Sequence, residues 1–173
     1  SREQRFGEPR SASSAPDDAP LKLEEFLPYR LNVAAALASQ ALSRIYAERY
    51  GIGVPEWRVL VTLGQYGVMT GKAIGEHAHM HKTKVSRAVA LLEKRKYVAR
   101  RANREDMREA FLSLTPAGRS IYEELAPIAL DFAKHVTDAI APADRPAFDR
   151  AVEALTKKAA TLAFAGANPI DRK

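Results

Sequence analysis

Between residues 70 and 118 the repeat of apolar side chains changes, and this change narrows the possible folds more than any other feature of the chain. Thr70 is a good helix N-cap, and GKAIGEHAH after it reads as a short helix. A turn around Met80 and His81 leads into KTKVSRAVALLEKRKYV. In this second helix Val85, Val89 and Leu92 recur at i, i+4, i+7 and face a core, leaving Lys82, Lys84, Arg87 and Lys94 on the solvent side. The period then drops to two. In REAFLSLT, Ala110, Leu112 and Leu114 alternate with Glu109, Phe111 and Ser113, the pattern of a half-buried strand. VARRAN before it pairs antiparallel across the polar tip NREDM. Thr115 and Pro116, a cap followed by a residue that tolerates the first helical position, open another helix.

The flanks are helical. A first helix is expected from about Leu23 to Tyr50, with Leu27, Leu31, Ala34, Ala38, Leu42 and Ile45 at helical spacing, Pro28 near its start and Gly51 and Gly53 ending it. PEWRVLVTLGQYG follows as a second helix with Trp57, Leu60, Val61 and Leu63 as core candidates, then a short strand at Val68 and Met69. The helix opened by Thr115 is expected to reach about Ile140 with a bend at Pro127. A last helix runs from Asp144 to about Phe164, its apolar face made by Phe148, Val152, Leu155, Ala159 and Leu162. The fold class is therefore mainly α (α+β): six helices and a two- to three-stranded sheet, in the order of a winged helix-turn-helix. The expected divisions are a tail at 1–20, helix 1 at 21–53, the winged unit at 54–118, C-terminal helices at 119–165 and a second tail at 166–173; both tails lack apolar periodicity.

Charge marks the same segment. Residues 82–108 hold ten Lys or Arg against Glu93, Glu105 and Asp106, a net of +7, so the rest of this +6 chain sums to −1. A basic patch on a near-neutral body is the footprint of a polyanion binder. An α-helix fits the major groove of duplex DNA, and residues at its N-terminal end point at base edges: here Lys82, Thr83, Lys84, Ser86 and Arg87. Lys94, Arg95 and Lys96, at the far end, are better placed for phosphates. With no cysteine, thiol catalysis, disulfides and thiol redox sensing are excluded. No segment reads as a membrane span or secretion signal, so a cytoplasmic protein without membrane association is expected. Nor is there a Gly-rich phosphate loop, a nucleophile elbow or a pair of carboxylates on an apolar background, so no enzyme and no cofactor is expected.

The run TGKAIGEHAHMHKTKVSRAVALLEKRKYVARRANREDMREAFLSLTPAG resembles the DNA-binding core of the MarR family, through Val85-Ser86-Arg87, LLEKRKYV, Asp106-x-Arg108 and the LTPAG from Leu114 to Gly118. The likeness of helix order extends over residues 23–164. It implies a homodimer held by helices 1, 5 and 6 that binds a pseudo-palindromic operator on double-stranded DNA, as a repressor. It also implies that Arg108, with Arg104 as a second wing contact, reaches the minor groove or a phosphate, while Asp106 steadies the wing by an ion pair. The sequence departs from the family at His81, where an acidic or small polar cap is common, and at Asn103, where Asp is common.

LPYRLNVAAALASQALSRIYAERYG with PEWRVL is similar to repressors released by coumaroyl-CoA or feruloyl-CoA. The likeness implies a small aromatic carboxylate or aromatic acyl-CoA effector. Tyr29, Arg30, Asn32 and Trp57 offer an aromatic wall, a charge and a hydrogen bond for such a guest, against the plainer roles of core packing for Trp57 and an ion pair for Arg30. His77, His79 and His81 alternate, with Glu76 the one carboxylate nearby, but the turn between them spoils a metal geometry, and none is expected. The alternatives are a regulator sensing another ligand or a metal, one with no small ligand, and a winged helix used for RNA or protein contacts.

Overall fold

The computed structural model describes residues 20–166; the expected tails lie, but for Pro20 and Gly166, outside them. The described residues divide into two compact units, on either side of a boundary between Leu37 and Ala38 inside the first helix. In the first, a single 3-10 turn at Leu23–Glu25 precedes the start of helix α1, Leu27–Tyr50. The helix thus begins later than the sequence suggested. Pro28 has no N–H to give to residue 24, so a helix started at Leu23 cannot run through it, whereas in the first turn of a helix begun at Leu27 that N–H is not needed. Leu27, Leu31 and Leu37 are all exposed on α1.

The second unit holds the core. Helices α2 (Val54–Tyr66), α3 (Gly71–Ala78) and α4 (Lys82–Lys94) pack with a three-stranded antiparallel sheet of β1 (Met69–Thr70), β2 (Val98–Ala102) and β3 (Ala110–Leu114). The sheet order is β1-β3-β2, with Val98 opposite Leu114 and Met69 opposite Leu112. Leu60, Leu63, Ile74, Val89 and Leu92, with Tyr46 from the end of α1, fill the centre. Among the described residues no helix is long and apolar enough to cross a membrane.

Helix α4 ends at Lys94, four residues short of the expected end. Lys96 adopts a left-handed conformation (φ 62°), its N–H bonds Glu93 O and the Tyr97 N–H bonds Leu92 O, both at 2.9 Å. This is the double bond pattern that stops helices, formed here on lysine where glycine is usual. LTPAG docks on that stop. Thr115 donates its hydroxyl to Lys96 O at 2.6 Å, and its Oγ1 caps the next helix by accepting from the Gly118 N–H at 3.0 Å. A Cβ on Gly118 would stand 2.0 Å from Tyr97 O, so only glycine fits the joint.

Helix α5 (Pro116–Thr137) runs through Pro127 and ends three residues before the expected Ile140. Arg145 then holds the turn, donating to Ile140 O and pairing with Asp138, before α6 (Arg145–Phe164). No residue of α6 is buried.

Candidate nucleic-acid interface

Helix α4 presents two chemically distinct faces. Val85, Ala88, Val89 and Leu92 are buried, while Lys82, Thr83, Lys84, Ser86, Arg87 and Lys94 are exposed. The turn before α4 is compact. His79 is left-handed (φ 51°), the Met80 N–H bonds Gly75 O, and a Cβ on Gly75 would lie 2.9 Å from Met80 O. His81 does the work of the usual polar cap, accepting from the Thr83 N–H on Nδ1 at 3.2 Å. The departure from the family pattern at this position therefore preserves the helix start.

The wing tip is pinned by side-chain acceptors. Asn103 Oδ1 receives the N–H groups of Glu105 (3.0 Å) and Asp106 (3.3 Å), so here too the departing residue keeps the turn. Asp106 Oδ1 receives the Arg108 N–H at 3.0 Å and faces the Arg108 guanidinium at 3.4 Å. Arg104 and Met107 project from the tip; Met107 is 80% exposed. A concavity of about 510 Å³ lies between α3, α4 and the sheet. Its floor is apolar (Val85, Val89, Leu112) and its rim carries Lys82, Ser86 and Arg108.

The ten cations of the basic segment meet different fates, which no spacing in the sequence announces. Arg100 grips Glu93 through two nitrogens, the closer at 2.7 Å, which ties strand β2 to α4. That hydrogen bond holds the guanidinium's pKa above its ordinary value. Arg101 lies 5.5 Å from the ring centre of Phe111 on the other face of the sheet. Arg95, expected among the phosphate contacts, donates to Tyr50 O at 2.6 Å; a helix-end carbonyl without an intrahelical partner takes it up. Lys82, Lys84, Arg87, Lys94, Lys96 and Arg104 form no ion pair among the described residues. Five of these six belong to α4 or the stop that follows it.

The other candidates are distributed differently. Tyr29, Arg30 and Asn32 are exposed on the first turns of α1, within the first unit. Trp57 is half-buried in the second unit and stacks on Tyr46, ring centres 5.2 Å apart and planes 10° apart. One face of the indole is thus already covered from within the protein. Among the histidines, His77 lies tilted against Tyr66, ring centres 4.3 Å apart, and His81 is occupied as a cap.

A family model described as the MarR family matches residues 50–109, from the end of α1 through the wing. An HTH-type transcriptional regulator of Bacillus subtilis, YwoH, is 30% identical over 120 residues, which is 69% of this chain and 86% of that protein. Among solved structures, a MarR/EmrR family transcriptional regulator from Acinetobacter superposes with a TM-score of 0.73 at 24% identity, covering 82% of this chain and 99% of that one. Bordetella bronchiseptica BpsR, whose DNA binding is regulated by 6-hydroxynicotinic acid, gives 0.70 at 21% identity over 80% of this chain and 98% of its own. MepR of Staphylococcus aureus, solved in complex with DNA, gives 0.69 at 17% identity over 77% and 98%. The helix-turn-helix, its three-stranded wing and the sequence match over most of both chains together make this protein a member of the MarR family of transcriptional regulators.

Proposed function

We propose that this protein is a homodimeric repressor that acts in the cytoplasm on a pseudo-palindromic DNA operator and is released by a small aromatic carboxylate or aromatic acyl-CoA. The observation that carries the DNA half is the outer face of α4, where Lys82, Lys84, Arg87 and Lys94 are exposed and unpaired among the described residues beside Thr83 and Ser86. Unpaired cations release counterions on meeting phosphates, and a hydroxyl or guanidinium at the helix start reads base edges. Arg104 and Arg108 reach the neighbouring minor groove or backbone, with Asp106 setting the tip. The DNA-bound relative MepR has the same fold.

Exposed apolar surface supports the dimer. Phe148, Val152, Leu155 and Leu162 on α6 and Leu130 and Val136 on α5 are each at least 39% exposed, and a second copy is the surface that would cover them. The effector half rests on the resemblance of α1 and α2 to aromatic-acid-responsive regulators and on BpsR, which answers to a hydroxylated aromatic acid. Tyr29, Arg30 and Asn32 supply exposed polar and aromatic groups, and Trp57 presents the indole face that Tyr46 leaves uncovered.

Operator duplexes selected from genomic fragments test the reading. Arg87→Ala is expected to cost about 1–3 kcal/mol of operator binding and to relax sequence preference. Arg108→Ala is expected to weaken all sequences alike and to reduce the salt slope by about 1. Parent-like binding by both variants in fluorescence anisotropy would overturn the placement on DNA. Calorimetry with coumaroyl-CoA, feruloyl-CoA and the free acids tests the effector; no heat and no operator release from any of them removes that half alone.

A further inference from the structure

One cation of the basic segment is engaged by the end of another helix, and its partners join three helices. Arg95 closes α4, and its Nη1 donates to the carbonyl oxygen of Tyr50 at 2.6 Å. Tyr50 is the last residue of α1, so this carbonyl lacks a partner within its own helix, and a guanidinium there also meets the negative end of the helix dipole. Gly51 makes the approach possible: its φ is +62°, and a Cβ on it would stand 3.0 Å from Arg95 Nη1. The same turn of α1 is gripped by α5. The Tyr50 hydroxyl donates to Glu124 Oε2, and Arg49 Nη1 pairs with Glu124 Oε1 at 3.0 Å. The hydrogen bond to Glu124 holds the Tyr50 phenol's pKa above its ordinary value.

We propose that Arg95 is a positioning residue for DNA recognition: it ties the C-terminal end of α4 to the end of α1 and, through Tyr50 and Glu124, to α5, so that operator affinity depends on a cation that touches no phosphate. The inference rests on the DNA-binding reading above. Its force comes from leverage. The core contacts of Val85, Ala88, Val89 and Leu92 hold one side of α4, and Arg95 fixes its far end. Over a helix of this length, about 20 Å at about 1.5 Å per residue, a tilt of about three degrees at one end moves the other by about 1 Å. The end that moves carries Lys82 to Arg87, and hydrogen bonds to base edges do not survive such a displacement.

The test uses the full chain and an operator duplex selected from genomic fragments, with anisotropy read across a salt series. Arg95→Ala is expected to lower operator affinity about tenfold with the salt slope unchanged, since no counterion-releasing contact is lost. Tyr50→Phe, which keeps the carbonyl and removes the link to Glu124, is expected to lower it about threefold. The double variant is expected to lose less than the product of the two, because both act on one strut. Parent-like affinity in Arg95→Ala overturns the proposal. So does a loss accompanied by a slope shallower by about 0.9, which would make Arg95 a phosphate contact. If Arg95→Ala does not melt cooperatively, Tyr50→Phe decides, and parent-like binding by it overturns the strut. Arg87→Ala in the same series separates the two readings: if it too binds like the parent, the DNA placement fails, and if it alone loses affinity, only the strut does.

Discussion

Two regions of this chain carry equally regular apolar stripes and use them in opposite ways. In the reading head, α2 through β3, twelve of the sixteen buried apolar side chains recorded among the described residues lie between Val59 and Leu112. On α6, Phe148, Val152, Leu155 and Leu162 recur at helical spacing and none is buried. The difference lies in what each helix has beside it. Helices α2, α3 and α4 and the sheet are joined by connections of at most three residues outside the wing, so each apolar face finds a neighbour at once. The stripe on α6 stays uncovered among the described residues. Periodicity thus tells which residues want cover, and a closed head beside an open helix tells which of them need another molecule.

The sharpest way to break this comparison is to replace one leucine in each place. Leu92→Ala, at a side chain with no exposure, is expected to cost about 2–5 kcal/mol in denaturant unfolding. Leu155→Glu on α6, 39% exposed, is expected to leave far-ultraviolet helicity of the head intact and to halve the mass in sedimentation at micromolar concentration. Operator affinity would then fall about a hundredfold as two linked half-site contacts become one. A dimer that survives Leu155→Glu would mean that the stripe is covered some other way. The smallest expected effect sits at the stop after α4. Lys96→Gly should stabilise the head by about 1 kcal/mol, the cost of holding a side chain in the left-handed region, seen as a higher midpoint in urea at unchanged slope. A lower midpoint would show that the lysine side chain makes contacts that outweigh the strain.

Much of the fold is legible in the sequence. The buried set Val85, Val89 and Leu92, the alternation through β3, and the caps at Thr70 and Thr115 are local patterns in which neighbouring residues settle the geometry among themselves. The candidate interface was legible in part. The exposed residues at the start of α4 follow from the same helical period that buries Val85, but the state of each cation does not. Arg87 and Arg95 are the same residue type eight positions apart, yet Arg87 forms no ion pair among the described residues while Arg95 is occupied by the end of another helix. Arg100 adds to the charge of the segment in the sequence, but the turn after α4 brings it onto Glu93.

What the sequence determined by itself was the order of elements, the inward face of each helix in the head and the concentration of positive charge in residues 82–108. These depend on contacts between residues a few positions apart, where chain geometry leaves few choices. Only the tertiary structure decided that α4 stops at Lys94, that Arg95 belongs to the joint with α1 and α5, and that one face of Trp57 is covered by Tyr46. The last two turn on a partner from a different element, and the hydrogen bond or stack exists only once the folded chain has brought the two together; the stop after α4 uses its own carbonyls but is locked by Thr115 from beyond β3.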